Sequence, residues 1–519
     1  MSQKNTHNIF ETLQIWRLYP KAHENRLPVN HPTLRGPRHA FFKAAGRNFA
    51  LLQILFLGLF AYIFGSLFQQ DSHIHNLNVL FVDYDGGIIG TTVRNAYRSL
   101  QGNSFPTLIE RAGSDFPTPD DLQHEVCDAR YWAALYISSG ASNKVQAVAA
   151  GQSTNYNKND IISYIWNEAR YSAVIDSAIS TNLQTLSSVA RVEYANRNWT
   201  DTIQTPSTAS FSVFAEPWNL NSVNIQPTMQ GSRLIYNTLV IILILIQEFF
   251  YLGTINTLYE AFKIYSRLCP HRIIIFRNVV SVAYCLLGSL STAGAIWAFR
   301  AGWNVNGNQF ALTWAILWLF AHVNFLTLDV FSIWLPPPYV PMALITWVVF
   351  NVTSILLPFA LSPAFYRWAY VMPAHEVYQV LLDIWSGGCN PQLRYALPIL
   401  FALELSGLFL SGLGVYRRCH YAVIREEAEK EAFQMRLDTA LAFEQRKRAE
   451  DKQKIGRTSS EIKEADEPQE EAELEKDREE LASAIELDNT KLQRERTKAS
   501  TSMGFGPAFG FQFGTEDGS

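Results

Sequence analysis

Cysteine is scarce in this chain, with five among 519 residues, and that excludes a disulfide framework as the main source of its stability. A phosphate loop of the form G-x-x-x-x-G-K-[ST] is missing as well, so ATP-driven work would need a separate nucleotide-binding partner. No H-E-x-x-H, G-x-S-x-G or paired C-x-x-C occurs. With no catalytic constellation in view, the chain reads as a non-enzyme, and neither a cofactor nor a metal is expected. The pair His73 and His75 reads as two loop histidines. A cleavable signal peptide is not expected, because more than forty polar residues precede the first apolar stretch, and 49–68 then reads as a retained anchor.

Net charge is also small, at −4, but it is unevenly spread. Residues 1–48 hold eight Lys/Arg and two acids, 71–232 hold nine and fifteen, and 417–519 hold eighteen and twenty-four. Nothing in this pattern suggests nucleic acid. What the chain has in quantity is long apolar runs. A spanning helix needs about 20 mostly apolar residues, since no water in the bilayer core can satisfy a free backbone group. Six segments qualify: 49–69, 234–257, 273–299, 310–334, 340–361 and 396–416. Pro336, Pro337 and Pro338 separate the fourth from the fifth and predict a tight turn between antiparallel spans.

Basic residues in short flanks set orientation. Arg35, Arg38, Lys43 and Arg47 precede the first span, Lys263, Arg267, Arg272 and Arg277 surround the second-to-third connection, and Arg417 and Arg418 follow the sixth. With six spans all three groups share one side, so both termini are expected in the cytoplasm and residues 70–233 outside it. The sequon at Asn198 falls in that outer segment, where glycosylation would require it. A second sequon at Asn351 lies within the fifth span and should be inert.

The outer segment alternates strand and helix patterns. Strands are expected at 77–83, 104–111 and 131–137, and helices at 90–100, 120–129 and 139–150. This predicts a small α/β layer. Asp83 and Asp85 with Gly86 and Gly87 read as a turn that ends the first strand, in preference to a cation site. Residues 158–195 are expected to form long helices on its flank, and 201–230 an extended stretch. The loop 362–394, with Pro363, Tyr366, Arg367, Trp368 and Pro373, is too aromatic for a plain solvated loop and predicts a re-entrant or interfacial helical hairpin. Cys127 and Cys389 are the outer-side thiols and leave a bridge between them open.

Ionisable residues inside spans are costly, at about 2.5–3.5 kcal/mol or more each, and therefore mark either function or structural polar contact. Glu248, Asp329 and Glu404 are the acids, and His322 shares a helix face with Asp329. Two readings stay open for them: a polar path for a proton or charged headgroup, or interhelical hydrogen bonding with Gln247, Asn324 and Asn351 as partners. Gly407-x-x-x-Ser411 is a pattern for close helix packing. From 417 to about 456 the chain is charged and helix-prone, and 457–519 reads as disordered, with a Phe/Gly-rich end.

Three stretches carry a family resemblance: VDYDGG followed by IIG, ARYWAALYISSGASNKV, and SPAFYRWAYVMPAHEVY. They resemble the fungal nitrosoguanidine-resistance family of membrane proteins, which is itself similar to the membrane subunits of ABC-2-type exporters. The likeness covers roughly residues 38–420 and brings over no catalytic residue. It implies one span, a large outer domain, then five spans with a re-entrant outer loop before the last. It also implies a plasma-membrane protein linked to chemical resistance or to lipid distribution.

The expected fold is therefore an α-helical polytopic membrane protein, six spans in a 1+5 arrangement with an α/β extracytoplasmic domain between the first two. The expected function is exporter-like, moving or exposing small molecules or lipids at the outer leaflet. The alternative is a non-transporting regulator or scaffold acting through the outer domain and tail. The lipid bilayer is the expected partner; a homo-oligomer, a separate ATPase and a tail-binding cytosolic protein stay open.

Overall fold

The computed structural model describes residues 28, 31–153, 156–196, 208–228, 239–300, 305–336, 339–456 and 483. The chain divides into two units, Met1–Tyr62 and Ile63–Ser519. Most of helix α1 (Arg35–Ser66) belongs to the first. It begins well before the expected span at 49, because Arg35 to Arg47 interleave with good helix formers and nothing breaks the run. Many of its apolar side chains are bare, with Ile54 69% exposed and Leu57 71%, a surface suited to hydrocarbon and not to water.

In the second unit a five-stranded sheet comes first, in the order β2-β1-β3-β4-β5. The strands are β1 (Asn78–Asp83), β2 (Thr107–Arg111), β3 (Ala133–Ile137), β4 (Ile162–Trp166) and β5 (Leu220–Asn224). All neighbours are parallel except β3 and β4. Side chains alternate across the sheet. Val79, Phe81, Leu135 and Tyr164 join the core formed with α2 (Ile88–Leu100), α4 (Ala141–Ala149) and α5 (Asn182–Ala195). Leu80, Val82, Ala134 and Ile165 face α3 (Pro119–Cys127) on the other side. The start of α3 follows from its sequence. Thr118 and Asp121 form a reciprocal capping box, and Pro119, whose missing N–H is harmless in a first turn, comes next.

Two expectations for this region change. The stretch 158–195 is not helical throughout, since Ile162–Trp166 is a fully buried strand inside the sheet. Burial on both faces removes the alternation that would have revealed it, and Ile161 and Ile165 happen to sit at helical spacing. The stretch 201–230 is not simply extended, for it contains α6 (Thr208–Ala215) and β5.

The helical set follows: α7 (Val240–Ala261), α8 (Pro270–Ala298), α9 (Gly307–Trp334), α10 (Val340–Leu356), α11 (Pro373–Trp385) and α12 (Leu393–Gly456). Together with α1, the helices α7, α8, α9 and α12 are long and apolar enough to cross a membrane; α10 is apolar but shorter. The fifth expected span is cut to 17 residues, about 26 Å at 1.5 Å per residue. Pro358 forces Leu357 into extended backbone and ends the helix before 361. The sixth span and the charged helix after it form one helix of 64 residues.

Directions come from the contacts. His322, Leu326, Asp329 and Ile333 of α9 meet Glu404, Gly407, Ser411 and Gly414 of α12 in the same order, so these two helices run parallel. Helix α8 runs against α9, with Arg277 beside Asp329 and Leu286 beside Trp314. The glycines explain the closeness of α9 and α12. A Cβ on Gly407 would strike Leu326, and one on Gly414 would strike Ile333.

The loop expected to be re-entrant has two unlike halves. Ala364–Val371 is a 3-10 turn that exposes Phe365, Trp368 and Tyr370, as an interfacial segment would. Helix α11 is instead buried on nearly every side, with Val377, Tyr378, Leu381, Leu382 and Trp385 inside. It joins the sheet to the helices: the Tyr171 N–H donates to Tyr378 Oη at 2.9 Å, and Asn167 Nδ2 donates to Ser386 Oγ at 3.1 Å. Cys127 at the end of α3 and Cys389 beyond α11 form a disulfide.

Candidate functional site

The acids expected inside the spans, Glu248, Asp329 and Glu404, sit in three separate groups. At Asp329, which is fully buried, Oδ1 accepts from Arg277 Nη2 at 2.5 Å and from Arg418 Nη2 at 3.0 Å, while Ser411 Oγ donates to Oδ2 at 2.5 Å. Asn256 and Tyr265 accept further guanidinium hydrogens from both arginines. Two cations around one carboxylate make a buried ionic cluster joining α7, α8, α9 and α12, in which Arg277 Nε is left without a hydrogen-bond partner among the described residues. Arg277 is only 2% exposed. Read from sequence it is a flank charge; the structure turns it inward.

The second group lies two turns away along α9. His322 Nδ1 is 2.5 Å from Glu404 Oε1, and His322 Nε2 is 3.1 Å from Ser281 Oγ. His322 and Asp329 do share a helix face, yet each has its own partners. The third group is Glu248 on α7. Its Oε2 accepts from Cys285 Sγ at 3.3 Å, and its Oε1 has no hydrogen-bond partner among the described residues. The amides Gln247, Asn324 and Asn351 serve elsewhere. Asn324 Oδ1 accepts from Trp347 Nε1, Asn351 Oδ1 from the Ala374 N–H, and Gln247 packs over Gly288.

The His322–Glu404 pair adjoins a large apolar space. A cavity of about 830 Å³ lies between α9, α11 and α12, walled chiefly by Leu312, Ile316, Leu319, Leu397 and Phe401. Leu312 and Phe401 are more than half exposed, so the cavity opens on the apolar flank of the helices. Its floor is held by Gln309, which caps the start of α9 and also donates Nε2 to Ile384 O at 2.8 Å. Trp318 Nε1 donates to Val282 O at 3.0 Å, which fixes a second wall against α8. Gly387 and Gly388 form part of the rim beside the disulfide, both with positive φ, a conformation glycine adopts without strain.

A second cavity, about 500 Å³, lies beside the Asp329 cluster. Lys263, Arg417, Arg418 and Arg425 share its wall with Glu260, Glu426 and Glu429. Some of these charges pair with one another, as in the Lys263–Glu429 pair at 3.4 Å.

The other sequence candidates have structural tasks. Asp83 Oδ1 accepts from the N–H groups of Asp85 and Gly86, and its Oδ2 pairs with Arg94 at 2.8 Å. Asp85 Oδ1 accepts from the Ser142 N–H at 3.0 Å, and its Oδ2 takes the Ser142 hydroxyl. Gly86 has φ of 63°, which the turn requires, and Gly87 caps α2. Tyr366 is buried with its hydroxyl where a Cβ on Gly65 would fall; Arg367 is exposed, Pro363 opens the 3-10 turn, and Pro373 starts α11. Asn198 lies outside the described residues. Among the described residues no cluster of three metal-ligating side chains occurs. Gln309, Trp318 and Ser281 escaped sequence reading, because a polar residue near a span end carries no mark of what it will face.

A family profile described as a protein of unknown function (DUF3533) matches residues 48–408. An uncharacterised endoplasmic reticulum membrane protein of Saccharomyces cerevisiae is 22% identical over 426 residues, which cover 74% of this chain and 82% of the relative.

Proposed function

We propose, from the premise that this chain belongs to the DUF3533 family of proteins of unknown function, that it is a multi-pass membrane protein that moves or exposes amphipathic small molecules or lipids. The observation that carries this reading is the cavity beside His322 and Glu404. Its volume of about 830 Å³ suits a drug-sized ligand, for which sites run about 300–1,000 Å³. It is apolar along most of its wall, has one buried polar pair, and opens where lipid would lie. A lipid tail or drug could enter sideways without crossing water. The exporter likeness read from the sequence motifs points the same way.

The test is purified protein in liposomes, assayed for movement of fluorescent phospholipid and of an amphipathic drug. Movement faster than in empty liposomes is expected, and Ala315→Trp, which fills the cavity, should abolish it. No movement, with or without candidate ATPases, would overturn the reading.

A second reading is favoured by α12, whose charged part continues as helix for forty residues beyond 416. A scaffold would use that extension to recruit a cytosolic partner. Removing residues 425–519 separates the two: a scaffold loses its phenotype, whereas a transporter keeps most of it.

On this reading both termini lie in the cytoplasm and the sheet domain on the other side. The disulfide supports that placement, since such bonds persist in oxidising compartments. In a chain with Cys269 replaced by serine, impermeant thiol reagent should label Ser153→Cys from outside and leave Glu431→Cys unlabelled. The reverse pattern would invert the topology. The relative is named for the endoplasmic reticulum, and the sequence resemblance points to the plasma membrane; imaging a tagged chain decides between these addresses.

A further inference from the structure

The polar lining of the α9–α11–α12 cavity is one-sided. Glu404 and Asp383 both contribute to it, and no lysine or arginine does among the described residues. The one base is His322, and both its ring nitrogens are engaged, by Glu404 Oε1 and Ser281 Oγ. Glu404 therefore uses one oxygen. The other, Oε2, is hidden from solvent and has no hydrogen-bond partner among the described residues. Glu404 itself lines the cavity, so its carboxylate, with one oxygen uncommitted, is the acceptor a ligand there would meet. Asp383 is already held at one oxygen by the Asn390 N–H, at 3.2 Å.

These features discriminate between headgroups. An anion would meet two carboxylates and neither lysine nor arginine. A neutral hydroxyl can donate to Glu404 but brings no charge. A protonated amine brings both an N–H donor and a positive charge, the combination that makes the stronger hydrogen bonds. The apolar wall of Leu312, Leu319, Leu397 and Phe401 then suits a hydrocarbon chain.

Resting on the reading of this cavity as a ligand site, we infer that it binds a single-chain amphiphile with a protonated amine headgroup, accepted by the free oxygen of Glu404. The test uses the full chain in phosphatidylcholine nanodiscs and radiolabelled N,N-dimethyldodecylamine, competed by unlabelled probes. The amine should compete about ten-fold better than dodecanol or dodecanoate. It should also outcompete dodecyltrimethylammonium, which keeps the charge and lacks the N–H. Glu404→Gln should lower amine affinity to the level of dodecanol and leave dodecanol unchanged, whereas Ala315→Trp should abolish binding of all probes. Equal competition by amine and alcohol overturns the inference, as does full amine preference in Glu404→Gln, equal binding of the quaternary probe, or amine binding that survives Ala315→Trp. The wild-type selectivity arm needs no variant and decides the matter even if a variant does not fold. Selective amine binding without movement in liposomes would overturn transport and leave this inference standing. Phospholipid movement with no amine preference would do the opposite.

Discussion

Asp329 and Glu248 are both fully buried acids, yet their surroundings differ in kind. Asp329 sits between two guanidinium groups. Replacing it with asparagine keeps the shape but leaves the buried Arg277 charge without its counter-ion, and breaking a buried pair from one side costs about 3–5 kcal/mol. Asp329→Asn should therefore lower the unfolding temperature of the purified protein and its level in the membrane. Removing the pair together, as Arg277→Met with Asp329→Leu, should recover part of that loss, because no charge is then stranded in α8. Among the described residues Glu248 makes no ion pair, and its one side-chain hydrogen bond comes from the Cys285 thiol. Glu248→Gln should accordingly change stability by less than about 1 kcal/mol, the worth of an ordinary hydrogen bond. If Glu248→Gln proves as damaging as Asp329→Asn, the acid has a charged role that its neighbours do not reveal. Sequence spacing identified both acids as interior. It could not say which one faces arginine, because Arg277 and Arg418 look like flank charges until helices are packed.

Between elements, the contact of α9 with α12 is the one most exposed to a single change. Gly407 lies against Leu326 and Gly414 against Ile333, with Ser411 donating to Asp329 between them. The small-residue pattern was legible in the sequence and its purpose holds, with the addition that Ser411 also bonds. Gly407→Val should push the helices apart, and overpacking of this kind costs about 1–3 kcal/mol. Since the same helices wall the cavity, the variant should also alter ligand binding, whereas Gly58→Ala in α1, with open space at its Cβ, should do neither. Thermal unfolding with a binding assay on both variants checks this. Helix α11 was less legible. Its aromatic and apolar residues suggested a segment at a membrane surface, but they are consumed by contacts with α9, α12 and Tyr171 of the sheet domain. A residue that buries against protein and one that buries against lipid have the same composition, so only packing separates them.

Across the molecule, the disulfide closes a sequence separation of 262 residues and ties the sheet domain to the rim of the cavity. Removing a native disulfide typically costs about 2–5 kcal/mol. Cys127→Ser and Cys389→Ser should each lower the unfolding temperature, and the double variant should be no worse than either single one, since one bond is lost in all three. Non-reducing electrophoresis after protease nicking between the two cysteines should show the halves linked only in the wild type. A double variant that is clearly worse than both singles would mean that the thiols act separately.

Periodicity and length, read from the sequence alone, determined that apolar helices dominate the second half and that strands and helices alternate before it. Hydrocarbon and a pleated sheet each impose a repeat that single residues cannot hide. Turn chemistry at Asp83 to Gly87 was equally local and equally readable. Tertiary structure alone decided the rest. It joined Cys127 to Cys389, turned Arg277 inward to Asp329, paired His322 with Glu404, and placed β4 inside the sheet. Each of these is a meeting of residues far apart in the chain, and its energy comes from geometry that exists only after packing. The cavity is the clearest case, for it is formed by what three helices leave unfilled, and no residue in the sequence marks an empty space.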